Sequence, residues 1–306
     1  MIKFEHFKET FINPNTLVTL KKMNHIFEIT HILKKNKNIS IKLIDKDHYL
    51  DLKTGCIEEC NHIENRSQNL FQVGQSLKRL RDLINSNISD VNKCKWVTLT
   101  YRDNMTDTKK LYNDFKNFIR RFKKIYSDFE YIVAMEPQAR GAWHCHCIFI
   151  FDYVPPFIPN KTIEALWRQG FTKITKLDNL DNVGAYLTAY LGDLELSSDN
   201  VNDLVSKGCN LTHIQLKNVS KIGEKELETP KSIVKGGRLY LYPPKFNIYR
   251  CSRGIKKPQT EVLSYYDAKE KVGNHKPTYT KTISLISTDT DYTNSISYEY
   301  YNTKRI

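Results

Sequence analysis

The sequence predicts an α+β protein with a central antiparallel sheet and β-leaning additions toward both ends. Two observations predict it. Strand-like and helix-like apolar periods alternate between about residues 94 and 195, and the flanking zones, 1–92 and 196–306, are richer in short β-type runs and turn residues. A length of 306 residues suggests about two domains of ordinary size. An apolar content of 40% supports a packed core and excludes a disordered linker protein.

In the N-terminal zone, 40–44 and 49–52 read as short strands, and Ser67 to Ile88 has helical period in Leu70, Phe71, Leu77, Leu80, Leu83 and Ile84. Lys78, Arg79 and Arg81 give that helix a basic outer face. The middle zone, 93–195, opens with a strand over 96–101. A helix follows from Thr108 to Tyr126, capped by Thr106 or Thr108, with Leu111, Phe115, Phe118, Ile119 and Phe122 on one face. Strands over 131–136 and 143–151 flank a turn at 137–142 and so form an antiparallel hairpin. A short helix (161–168), a strand (171–175) and a helix from about Asn182 to Leu191, closed by Gly192, complete the zone. Strand-helix-strand-strand-helix-strand is the ferredoxin-like order, a sheet with helices on one face. In the last zone, eight basic residues and no acid lie between Pro230 and Pro258, interleaved with Tyr240, Tyr242, Phe246 and Tyr249. The Ser/Thr/Asn/Tyr-rich tail after Tyr279 is expected to be only partly ordered.

Lys and Arg number 47 against 34 Asp and Glu, a net charge of +13 that calls for a polyanionic partner. No run approaches the ~20 apolar residues that span a bilayer, so nucleic acid is the expected partner, with no membrane. The first residues lack the apolar core of a secretory signal. Seven cysteines, an odd number in a long chain, suit free thiols and a cytoplasmic setting. Cys56, Cys60 and His62 have loose metal-ligand spacing without a recognisable fourth ligand, which argues against structural zinc.

Strand side chains alternate faces, so His144 and His146 point the same way, and the hairpin brings Glu136 beside them. Two imidazole nitrogens, a carboxylate and open positions suit a catalytic Mg²⁺, Mn²⁺ or Zn²⁺ rather than a closed structural site, with Mg²⁺ or Mn²⁺ the expected cofactor. Taken alone, a His-x-His pair is more often an ordinary strand feature. Cys145 and Cys147 alternate with the histidines and are expected in the core. Tyr186 and Tyr190, four apart on one helix, project from one face. A phenol at pKa ~10 is a weak nucleophile at neutral pH and needs an activated electrophile.

Together, the strand 96–101, the segment from Glu136 through His144 and His146, and Tyr186–Tyr190 resemble the three ordered motifs of the HUH endonucleases. Rolling-circle replication initiators of plasmids and phages, including the filamentous-phage gene 2 type, are the most similar members. The resemblance covers about 100 of the 306 residues. It implies a HUH nuclease core in which Glu136, His144 and His146 hold one divalent cation against the scissile phosphate. Tyr190 or Tyr186 would attack, leaving a 5′-phosphotyrosine and a free 3′-hydroxyl; Tyr190 is the preferred nucleophile.

Many members carry a lysine three residues after the nucleophile, where this chain has Ala189 or Asp193. Lys173, Lys176 or Arg168 is expected to meet the phosphate charge instead. The expected DNA contacts are Thr98, Thr100, Arg140, Lys173, Lys176, Arg238, Tyr240, Lys245, Tyr249, Arg250 and Arg253. The partners implied are single-stranded or supercoiled origin DNA and, in a bacterial host, its DNA polymerase. No Walker A pattern is present, so unwinding would need a host helicase. A conjugative relaxase or single-strand transposase would share the site; a basic DNA-binding protein without chemistry is the reading from another class.

Overall fold

A computed structural model of the chain describes residues 2–35, 39–177, 182–188, 191–195, 214–218, 230–288 and 291–305. They fall into two compact units, Ile63–Lys256 and a discontinuous one made of Met1–His62 with Lys257–Ile306. The three consecutive zones read from composition are therefore cut differently, because strands from the two ends of the chain hydrogen-bond to each other.

The discontinuous unit begins with β1 (Ile2–Phe7), β2 (Leu17–Met23) and β3 (Ile26–Ile32). Val18 and Leu20 alternate inward on β2, as period two requires. A small sheet follows in the order β4 (Ile41–Leu43), β5 (His48–Asp51), β6 (Ile57–Glu59).

The second unit opens with α1 (Leu70–Asn87), capped by Asn69, whose side chain accepts from Gln72 N–H. Its buried face is Val73, Leu80 and Ile84, while Leu70 and Phe71 are exposed. Next come β7 (Cys94–Thr100) and α2 (Thr108–Lys123). The cap of α2 is neither expected threonine. Asp107 fills it, its carboxylate accepting from Lys109 N–H (2.7 Å) and Lys110 N–H (3.2 Å). The hairpin β8 (Phe129–Pro137) and β9 (Trp143–Phe151) turns through Gly141, whose φ of +95° few other residues tolerate. After it come α3 (Asn160–Trp167), β10 (Thr172–Thr175) and α4 (Val183–Thr188).

The strands order as β10-β7-β9-β8, all antiparallel. That is broadly the ferredoxin-like arrangement expected from the element order. The two helices of that run, α2 and α3, lie on one face as expected, and helices outside it, α1 and α4, cover the other. Leu111, Phe115, Phe118 and Phe122 of α2 and Ile163 and Trp167 of α3 pack on Val97, Val133, Cys145, Cys147 and Phe149. Leu80 and Ile84 of α1 and Val183 of α4 pack on Ile132, Ala134 and Ile148 of the opposite face. A sheet apolar on both sides needs two covers, and α1, outside the βαββαβ run, supplies much of the second.

Beyond α4, β11 (Leu194–Glu195), β12 (Ile214–Asn218) and β13 (Pro230–Val234) form a small sheet with β13 in the middle. The short strand β14 (Tyr249–Cys251) then adds to the edge of the main sheet beside β8. Two aromatics of this basic stretch are core rather than surface. Phe246 stacks on Trp143 at 4.5 Å, and Tyr242 meets the same indole edge-on at 5.5 Å.

The chain re-enters the discontinuous unit with β15 (Gln259–Ser264), α5 (Tyr265–Val272), β16 (Tyr279–Ser287) and β17 (Thr293–Asn302). Most of the tail expected to be partly ordered is thus two strands in a sheet ordered β1-β16-β17-β3-β2-β15. Its Ser/Thr/Tyr residues alternate with Ile and Leu, which is strand period, and composition alone hides that. Ala268 and Val272 of α5 cover Val18, Leu20, Ile29 and Tyr301. The buried carboxylate of Glu299 accepts from Thr10, Tyr265 and Tyr301 hydroxyls.

Candidate metal centre

Register builds this site. Pairing of β8 with β9 sets Glu136 opposite His144 and Ala134 opposite His146, and β7 sets Thr100 and Thr98 against the same two histidines. All these residues share the sheet face covered by α1 and α4, whereas Cys145 and Cys147 are fully buried on the other. Burial pushes both thiols up, so they stay protonated and inert.

Glu136 Oε2 lies 3.2 Å from His144 Nε2 and 3.1 Å from His146 Nε2. The donor atoms of the three residues lie within 4.8 Å of one another, the spacing of ligands that can share one ion. Burial raises the Glu136 carboxyl, but the histidine hydrogen bonds and the Arg238 charge outweigh it and hold the group well below the usual carboxylate range. Burial lowers His144, partly offset by Glu136, which favours the neutral ring with a lone pair to give. Thr98 Oγ1 stands 3.4 Å from His146 Nδ1. With the proton on Nδ1, that contact leaves Nε2 free for a metal. An anionic oxygen and two imidazole nitrogens form a donor set that fits a divalent ion.

The carboxylate is itself held in place. Its Oε1 accepts from Gly192 N–H (2.7 Å) and Arg238 Nη2 (2.6 Å), which turns Oε2 toward the histidines. Arg238 is thus not the free DNA contact its place in a basic run suggests. Its guanidinium is committed here, donating also to the Asp193 carbonyl (2.6 Å) and the Pro137 carbonyl (3.0 Å). Asp193 in turn pairs with Lys235 at 2.7 Å and accepts from Gly236 N–H. Nothing local in the sequence marks Arg238 for this role, since it lies 102 residues from its carboxylate. Arg238→Gln is expected to lower Mn²⁺ affinity by roughly 10–100-fold, the usual cost of losing a group that orients a ligand. Calorimetric titration with Mn²⁺ checks this; wild-type affinity would refute the positioning role.

The helix carrying Tyr186 docks on α1. Asn85 Oδ1 accepts from Gly184 N–H (2.9 Å), Asn85 Nδ2 donates to Asn182 Oδ1 (3.0 Å), and Asn182 Oδ1 also accepts from Ala185 N–H. A Cβ on Gly184 would stand 2.6 Å from the Arg81 carbonyl oxygen, so only glycine permits this approach. Gly184→Ala is therefore expected to displace α4 from α1, read as a lowered midpoint in a thermal melt of the second unit. Tyr190 lies outside the described residues, and only the backbone of Tyr186 is described. Gly192, two residues past Tyr190 in sequence, is the N–H donor to Glu136.

The remaining expected contacts scatter. Lys173 is exposed on β10 in line with Thr98, and Lys176 is exposed just beyond the strand. Arg168 ends α3, in the layer on the far face from the histidines, so it is not placed to serve this site. Arg140 braces the hairpin by donating to the Tyr101 carbonyl at 3.0 Å. The Arg250 guanidinium sits 3.6 Å over the Tyr112 ring. Tyr240 and Tyr249 are half-buried, while Lys245 and Arg253 are exposed.

No helix among the described residues is long and apolar enough to cross a membrane. No curated protein matches the chain. Residues 94–195, which hold Glu136, His144 and His146, match the family of replication-associated proteins of the ORF2 and gene 2 protein type, so this stretch is a HUH/Rep-like domain carrying a nuclease-like metal site.

Proposed function

We propose that the protein is a rolling-circle replication initiator that nicks one strand of origin DNA and rejoins it through a 5′-phosphotyrosine. The convergence of Glu136, His144 and His146 inside the Rep-like stretch carries the reading. The phenol oxygen of Tyr190, or of Tyr186, attacks the scissile phosphorus. The bond to the 3′-oxygen breaks, leaving the 5′-phosphate on tyrosine and a 3′-hydroxyl that a host polymerase extends. Reverse attack by a 3′-hydroxyl reseals the strand, because the phosphodiester energy is kept in the covalent link. A bound Mg²⁺ or Mn²⁺ would polarise the phosphoryl oxygen and neutralise developing charge. Arg238 and Gly192 keep the Glu136 carboxylate aimed. Unwinding falls to a host helicase, in the cytoplasm of a bacterial cell.

The test is cleavage of supercoiled plasmid bearing the cognate origin, with Mn²⁺ or with EDTA. Metal-dependent nicking and a covalent protein–DNA adduct are expected, the adduct lost in the Tyr186→Phe, Tyr190→Phe double variant. An adduct that survives the double substitution removes the tyrosines from the mechanism. Absence of any nicking by the wild-type chain leaves only a cationic DNA-binding protein.

A further inference from the structure

The second unit carries a basic groove of about 500 Å³ between α1 and the segment running into β14. Arg66, Gln72, Arg79, Lys245, Asn247 and Tyr249 line it together with other polar groups, and no acidic side chain does. Two observations mark it as more than a solvated face. Arg66 is only 8% exposed, and its guanidinium has no carboxylate partner among the described residues. Nη2 reaches Ser76 Oγ at 3.4 Å, and Nε–H has no hydrogen-bond acceptor among them. A buried cation left this way costs free energy unless an anion completes it. Lys245, which follows Pro243 and Pro244, is held at φ +62°, a left-handed conformation that a lysine seldom adopts without a compensating gain.

We propose that this groove binds the phosphodiester backbone of single-stranded DNA, with Arg66 as the buried anchor and Arg79 and Lys245 as outer phosphate contacts. The identification of the anion as DNA rests on the nuclease reading above. Arginine presents a planar fork of donors matched to phosphate oxygens. The amides of Gln72 and Asn247 and the half-buried ring of Tyr249 offer hydrogen bonds and a stacking surface to a base next to such a phosphate. Every residue named lies outside 94–195, so the groove is an addition to the Rep-like stretch. The basic face of α1 and the basic-aromatic stretch near Lys245 thus become two walls of one site.

The test titrates the full-length chain into a fluorescein-labelled single-stranded oligonucleotide and follows anisotropy over a range of salt concentrations. Arg79 and Lys245 are not core residues, so Arg79→Glu with Lys245→Asn should leave the fold intact, asparagine keeping the left-handed backbone. This variant is expected to bind at least about tenfold more weakly, with a salt slope shallower by about 1.4, the value for two lost phosphate contacts on a single strand. Lys276→Glu, on the other unit, makes two of the three units of charge change of the double variant away from the groove and is expected to match wild type. Arg66→Gln should show the same loss and is read only where its melting curve matches wild type. Affinity and salt slope for the double variant equal to those of Lys276→Glu would overturn the proposal. So would binding to phosphatidylserine vesicles that falls in the double variant while oligonucleotide binding does not. Plasmid nicking, scored in parallel, separates the two readings. Lost oligonucleotide binding without wild-type nicking upholds the groove and removes the nuclease, whereas nicking with unaltered binding does the reverse.

Discussion

Replacing His144 and His146 together with alanine is expected to abolish divalent-metal binding and, on the function proposed above, to lower strand cleavage by at least about a thousandfold, since a metal supplies several kcal/mol and each tenfold is ~1.4 kcal/mol. The fold should survive. Both side chains are partly exposed, and β9 keeps its core contacts through Cys145, Cys147 and Phe149 on the far face and Ile148 on the site face. Glu136 would keep Arg238 and Gly192 as partners and so would not be left as an unpaired buried charge. Calorimetry with Mn²⁺, plasmid nicking and the melting curve together decide the matter. Cleavage at the wild-type rate, with the fold intact, would remove the triad from the chemistry.

Phe118→Ala is expected to destabilise the second unit by about 3–5 kcal/mol, the cost of emptying a large aromatic site in a packed core. Phe118 is fully buried and touches Phe115, Phe122, Phe149 and Trp167, with ring centroids 5.8–6.3 Å apart. It therefore ties α2 to both β9 and α3. Trp96, Trp143 and Trp167, all the tryptophans of the chain, lie in this unit. Tryptophan fluorescence in a urea titration thus reports its unfolding without interference from the other unit. A midpoint unchanged from wild type would show that the site collapses around the missing ring, and would refute the packing argument.

The candidate ligands are legible in the sequence because their geometry is local. A two-residue period puts His144 and His146 on one face and their cysteine neighbours on the other, and a tight hairpin returns Glu136 to them whatever the rest of the chain does. The face of α2 that meets the sheet is legible for the same reason, as a helical period within one segment. Its cap at Asp107 is not, because three neighbouring residues offer capping oxygens and only the backbone path selects one.

Other features depend on partners far along the chain. Arg238 reads as one more cation in a basic run, and only the loop around Gly192 and Asp193 turns it inward onto Glu136. Asn85 reads as a polar residue late in an amphipathic helix until α4 arrives, 99 residues on, to give it Gly184. The final two strands read as a polar tail because their pairing partners, β1 and β3, lie at the other end of the chain. By itself, then, the sequence determined the periodic elements, the shared face of the ligand triad and the cationic character of the whole. Tertiary structure alone decided what orients the carboxylate, what covers each side of the sheet and which cations meet in one groove. Periodicity constrains only neighbours within a segment, and those contacts join side chains whose positions are set by packing.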